Sequence, residues 1–199
     1  MDKRFAKLLL KYAENTTESG RKNVEQQLWR RFGAHKAVFV MDMSGFSRLT
    51  QKYGIVHYLS MVHRMQLVTQ PIIEQHDGQV VKFEADNCFA AFENPHNAVR
   101  AAVALNIAFS SMNIFTPDEL DIRVSIGIDD GDVLMIGGPD YFGNPVNGAS
   151  KLGEDIAAPG EILITNHAFQ QIPTETGIKG KPVNFLISGI ELNALSILY

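Results

Sequence analysis

Two aspartates raise the first chemical question. Asp42 ends the apolar run AVFVMD, and Ser44, Gly45 and a new amphipathic stretch follow at once. Asp86 lies in VVKFEADNCFAAF, at the turn of a predicted hairpin around Glu84 to Asn87. A carboxylate at the end of a buried strand needs a partner, because burying an unpaired charge is costly. If the strand ending at Asp42 lies beside the hairpin, the two carboxylates meet at one sheet edge. They then repel unless a cation or a proton sits between them. A hard divalent ion such as Mg²⁺ takes oxygen ligands of this kind and leaves positions for phosphate. Ser44, Gly45, Phe46 and Ser47 begin a helix, and free N–H groups at a helix start can face an anion. Cation and phosphate binding would then share one corner. The same residues also suit ordinary roles, Asp42 as a helix N-cap and Asp86 as a turn residue.

The elements that would position these residues follow from the pattern of apolar positions. Residues 4 to 32 read as helical, with a polar interruption at ENTTESG, and are either a lid on the body or a linker and dimer contact. From Ala37 the order becomes strand, helix, strand, strand, helix, strand. AVFVMD is the first strand, and a long helical segment runs to HDG with Pro71 inside it. QVVKFEADNCFAAFEN gives two strands, PHNAVRAAVALNIAFSSMN an alanine-rich helix, and LDIRVSIGIDDGDVLMIGG a long strand or hairpin. NPVNGASKLGEDIA reads as a helix, GEILIT as a strand and NHAFQQI as a short helix; residues 173 to 199 read as a closing strand pair. The expected fold is α+β: a ferredoxin-like sandwich with a mostly antiparallel sheet and helices on one face. A helical segment, residues 1–36, precedes a body of residues 37–199.

Bulk properties narrow the function classes. The 199 residues suit one domain with a good core. A net charge of −4 leaves no basic footprint for nucleic acid. No apolar run is long enough to cross a bilayer, and the N-terminus turns polar too early for a signal peptide, so a cytoplasmic protein is expected. Cys88 is the only cysteine, which excludes an internal disulfide and a cysteine-rich zinc site. His57 and His63 are six positions apart on one predicted helix, not the four that a helical metal pair needs.

FVMDMSGFSRLT resembles the first motif of the class III nucleotidyl cyclases, the adenylate and guanylate cyclase catalytic domains. VVKFEADNCFAAF resembles their second motif, in which a Lys precedes the second metal aspartate by four residues; Ala85 stands where the family usually has Gly. RVSIGIDDGDVLMIGG is similar to the family strand with an Ile-Gly-Ile stretch, although DDGD is more acidic than the family turn. DYFGNPVNGASKLGEDIAAPGEILIT resembles the last motif. The likeness runs from about Ala37 to Ile172, with the motifs in family order and spacing.

The resemblance implies roles position by position. Asp42 and Asp86 would hold two divalent cations, Mg²⁺ or Mn²⁺, and the Ser44–Ser47 amides would touch the phosphates. Lys82 and Asp140 match the pair that reads adenine: a Lys donor suits N1 and an Asp acceptor suits the N6 amino group. Asn147 matches the residue that orients the ribose. Lys151 departs from the family arginine, which loses a planar, bidentate phosphate contact while keeping the charge. The implied activity is conversion of ATP to 3′,5′-cyclic AMP and pyrophosphate, in a head-to-tail homodimer whose metal residues face the base-reading residues of the second copy. Two alternatives stand beside it: a cyclase of GTP, CTP or UTP, or a degenerate domain that binds nucleotide and dimerises to regulate something else.

Overall fold

The computed structural model describes residues 2–137, 140–187 and 190–199. Two helices come first, α1 (Lys3–Glu14) and α2 (Glu18–Phe32). Asp2 caps α1 by accepting from the Arg4 and Phe5 amides, and Thr17 caps α2 by accepting from the Gly20 amide. The polar stretch between them is thus a helix stop followed by a helix start.

The body is built from β1 (Gly33–Met43), α3 (Phe46–Tyr53), α4 (Ile55–Gln75), β2 (Gly78–Glu84), β3 (Asn87–Phe92), α5 (Pro95–Asn113) and β4 (Val124–Ile136). Their strands lie in the order β2-β3-β1-β4, and every neighbouring pair is antiparallel. This is the ferredoxin-like arrangement expected from the sequence. The sheet continues through β6 (Ile162–Thr165), β8 (Ile190–Leu198) and β7 (Lys179–Ile187), and β5 (Asp140–Phe142) pairs with the far end of β4. Among the described residues only β4 and β6 run parallel. β7 and β8 are the closing strand pair read from residues 173 to 199; residues 188 and 189, like residues 138 and 139, fall outside the described residues.

Strand alternation divides the sheet into two faces. Ala37, Phe39, Met41 and Met43 of β1 face the main core with Ile126 and Ile128 of β4. The long helices cover this face: α4 supplies Tyr58, Met61, Met65 and Ile73, and α5 supplies Ala98, Ala102, Leu105 and Phe109. Val38 and Val40 point the other way, toward Tyr141 of β5 and Ala149 of α6 (Asn144–Ser150). After α6 the chain widens into a π-helical turn, Lys151–Ile156. This segment adds cover on the face opposite the long helices.

Glycine explains how it gets so close. A Cβ on Gly127 of β4 would meet the Ala149 carbonyl at 2.0 Å, and one on Gly153 would meet the Val40 carbonyl at 2.6 Å. Any side chain at either position would push the segment off the sheet. Ser125 donates a hydrogen bond to the Gly153 carbonyl at 2.8 Å and fixes the turn there. The helix pair α1–α2 packs through Phe5 and Leu28 against Ile136, at the far end of β4.

Candidate active site

The corner built by Asp42 and Asp86 forms through the β1–β3 ladder. Asp42 pairs in register with Asn87, the residue after Asp86. The Met43 amide donates to the Asp86 carbonyl at 3.2 Å, which ties the hairpin turn to the end of β1. The turn is tight: β2 ends at Glu84 and β3 begins at Asn87, so only Ala85 and Asp86 connect them. Ala85 takes φ of 51°, in the left-handed region that glycine tolerates best.

Electrostatics show Asp86 acting on Asp42. Burial, then the charges of Asp86 and Glu154, push the Asp42 carboxyl up to about 7. Among the described residues neither aspartate has a Lys, Arg or His partner. Asn87 Oδ1, across the ladder from Asp42, is buried and accepts no hydrogen bond among the described residues. Hard oxygen donors, negative charge and an orphaned acceptor are what a divalent cation of the Mg²⁺ type needs. Among the described residues no three His, Cys, Asp or Glu side chains are arranged to enclose a metal ion. A cation here would rest on two carboxylates and draw its remaining ligands from phosphate and water, as Mg²⁺ commonly does.

The adjoining turn opens α3. Gly45 has φ of 102° and lets the chain reverse from β1 into the helix. The Ser44 amide donates to the Arg123 carbonyl at 2.9 Å, so it is occupied. Phosphate contacts of the kind expected for Ser44–Ser47 would therefore fall to the amides of Gly45, Phe46 and Ser47. A cleft of about 560 Å³ opens beside this turn, with Arg48 and Arg123 on its walls.

A second constellation lies on the sheet face that carries α6. Lys82 Nζ is 3.0 Å from Asp140 Oδ1 and 2.8 Å from Glu84 Oε2, and it sits 4.9 Å from the Phe89 ring centroid. Hydrogen bonds to Glu84 and then to Asp140 raise the Lys82 pKa against the effect of burial, so the ammonium stays charged. β2 and β5 thus bring together two side chains 58 residues apart. Asn147 is exposed on α6, and Lys151, partly buried, stands four residues on, where α6 gives way to the π turn. Single π turns inside helices are frequent at functional sites.

The acidic DDGD stretch is divided by the pleat. Asp130 and Asp132 lie on the face away from α6, and His35 bridges them, with Nε2 2.9 Å from Asp130 and Nδ1 3.0 Å from Asp132. These two carboxylates raise the His35 pKa. Asp129 faces α6, accepts a hydrogen bond from Thr165 at 2.5 Å and lies under Gly148, whose Cβ would meet it at 2.2 Å. Each of the three carboxylates thus has a partner within the fold. His57 binds the Glu119 carbonyl at the surface.

One side chain at the site escaped the sequence. Tyr58 of α4 is 1% exposed and donates its hydroxyl to Asp86 Oδ2 at 2.5 Å. The usable signal was a tyrosine at a core-facing helix position, since a buried phenol requires a partner.

Comparison with known proteins identifies the family and the fold. Residues 31–183 match the family model described as the adenylate and guanylate cyclase catalytic domain. The chain is 30% identical over 142 residues to a Rhizobium meliloti protein named "Putative adenylate cyclase 3", which covers 71% of this chain and 24% of that protein. It is 31% identical to the Mycobacterium tuberculosis protein Rv2212, over 66% of this chain and 33% of the relative. The chain thus spans about a quarter to a third of these relatives. Among solved structures it resembles the adenylate/guanylate cyclase/hydrolase from Silicibacter pomeroyi, with a TM-score of 0.69, 26% identity, and coverage of 84% of this chain and 98% of that one. The adenylyl cyclase CyaB from P. aeruginosa shares the fold, with a TM-score of 0.71 at 19% identity over 84% of this chain and 96% of that one. Among the described residues no helix is long and apolar enough to cross a membrane. The chain therefore belongs to the adenylate and guanylate cyclase catalytic domain family, the class III nucleotidyl cyclases.

Proposed function

We propose that residues 37–199 form an adenylate cyclase domain that converts ATP to 3′,5′-cyclic AMP and pyrophosphate at a head-to-tail homodimer. The observation that carries the nucleotide assignment is the Lys82–Asp140 contact of 3.0 Å. It sets a donor beside an acceptor, the complement of adenine N1 and N6. A base-edge contact of this type discriminates by about 1–3 kcal/mol, by analogy with groove readout.

Asp42 and Asp86 would hold the cations. Bound there, divalent cations would neutralise triphosphate charge and make the ribose 3′-hydroxyl a better nucleophile. The 3′-oxygen would attack the α-phosphorus as the bond to the pyrophosphate oxygen breaks, with pyrophosphate departing and the hydroxyl proton passing to water. The Gly45, Phe46 and Ser47 amides would orient the phosphates. Asn147 would orient the ribose, and Lys151 would meet charge developing on the α-phosphate. Little covalent work falls to the protein in such a transfer; positioning and charge dominate.

Each copy carries both half-sites, so twofold symmetry makes two equivalent sites. Complementation tests this. Alone with ATP, a variant lacking the cation ligands (Asp42→Asn with Asp86→Asn) should be inactive, and one lacking the base readers (Lys82→Ala with Asp140→Ala) should keep at most about a few per cent of wild-type activity. Mixed in equal amounts and allowed to exchange, they should recover about a quarter of wild-type activity, since half the dimers are mixed and each has one intact site. No recovery would contradict a shared site. Lys151 in the arginine position favours one second reading, a domain that binds nucleotide and dimerises with little turnover.

A further inference from the structure

We propose that Tyr58 is a positioning residue for the cation site: its buried hydroxyl pins the Asp86 carboxylate where it can share a cation with Asp42. This rests on the reading of Asp42 and Asp86 as cation ligands. Core packing at this position asks only for an apolar side chain, and the neighbours Met61, Val62 and Met65 supply nothing else. The hydroxyl is the exception, and it reaches a functional carboxylate rather than a backbone group.

Asp86 is held from three sides. Its carbonyl accepts from the Met43 amide, its turn is closed by left-handed Ala85, and its Oδ2 accepts from Tyr58. The Tyr58 ring is itself fixed by an edge-on contact with Phe46, with centroids 4.7 Å apart. Phe46 begins α3, so one aromatic pair joins the phosphate-facing helix start to the second cation ligand. A hydrogen bond to a carboxylate is short and strong. Here it engages Oδ2, leaving Oδ1 for a cation, and limits the rotation that a lone carboxylate on a two-residue turn would otherwise have.

Partners that orient metal ligands are commonly worth ten- to a hundredfold in metal affinity. The test is Mn²⁺ binding to the full chain without nucleotide, read from the electron paramagnetic resonance of the free ion. Four proteins are compared: wild type, Asp86→Asn, Tyr58→Phe, and a chain with 3-fluorotyrosine at position 58, which keeps the donor. Tyr58→Phe should bind Mn²⁺ about tenfold more weakly, while the fluorinated chain stays within about twofold of wild type. In a cyclase assay, Tyr58→Phe should need about tenfold more metal for half-maximal rate, with kcat at saturating metal within about threefold of wild type. Wild-type affinity in Tyr58→Phe, alongside weakened binding in Asp86→Asn, would overturn the positioning role and leave the cation ligands standing. Equal binding by wild type and Asp86→Asn would remove the ligand assignment and this inference with it. A Tyr58→Phe chain that does not fold would make the hydroxyl a folding requirement and overturn the inference as well.

Discussion

Lys82 Nζ lies 3.0 Å from Asp140 Oδ1 and 2.8 Å from Glu84 Oε2, so two carboxylates share one ammonium at the proposed base-reading position. In the proposed reading Asp140 is the partner that would meet adenine, and Glu84 is a second anchor on the same strand as Lys82. Lys82→Ala should lower kcat/KM for ATP by roughly 10–100-fold while changing that for GTP much less. Asp140→Ala should relax ATP preference with a smaller effect on rate, because Glu84 still holds Lys82. Equal losses for ATP and GTP in both variants would show that neither side chain reads the base.

The Asp42 corner should make stability depend on pH and, if it holds the proposed cation, on metal. The folded carboxyl titrates near 7, well above its ordinary value of 3.8. A raised carboxyl pKa contributes stability that is complete below the unfolded value and is lost as pH rises toward 7. Metal-free protein should therefore melt at lower temperature at pH 8 than at pH 5 because of this group. Asp42→Asn should remove that part of the slope and melt higher than wild type at pH 8 without metal. Added Mn²⁺ should raise the wild-type melting temperature but not that of the variant. Identical metal-induced shifts in both proteins would contradict the ligand role of Asp42.

Lys151 stands where α6 becomes a π turn, close enough in the chain to Asn147 to share its helix face. Restoring the guanidinium should restore a planar two-point contact to phosphate. Lys151→Arg should raise kcat by about tenfold or more, since phosphate-binding arginines contribute up to ~10³–10⁵ in related transfers. A fall in kcat would show that the site is adapted to lysine.

Ala85 occupies left-handed backbone in the turn that presents Asp86. Left-handed backbone costs a non-glycine residue about 1–2 kcal/mol. Ala85→Gly should stabilise the chain by about 1 kcal/mol in urea unfolding, less whatever entropy the glycine adds to the unfolded state. A loss of stability would mean that the alanine methyl makes a contact outweighing its strain.

The site was legible in the sequence where chemistry is local and less so where it depends on distant packing. Asp42 at a strand end and Asp86 in a hairpin turn are short-range patterns, and ladder register brought them together. Lys82 and Asp140 carried meaning only through the family likeness, because nothing local says that β2 and β5 lie near each other. The placement of residues 144–156 opposite the long helices was hidden, since their apolar spacing reads as an ordinary helix. What sends them there is the absence of a Cβ at Gly127 and Gly153, a constraint visible only with both chains of atoms in view. The division of DDGD between two faces follows from the twofold strand period, once the stretch is known to be one continuous strand, β4. Tyr58 gave one weak sign, a tyrosine rather than a phenylalanine on an apolar helix face, and nothing local says that its hydroxyl reaches Asp86.

Product analysis tests the enzymatic claim most directly. Purified protein is incubated with Mn²⁺ and, separately, ATP, GTP, CTP and UTP, and any cyclic nucleotide is identified by mass. Wild type should form 3′,5′-cyclic AMP from ATP in preference to the other three products, and Asp42→Ala should form none. No cyclic product from any nucleotide at high protein concentration, or undiminished product from Asp42→Ala, would contradict it.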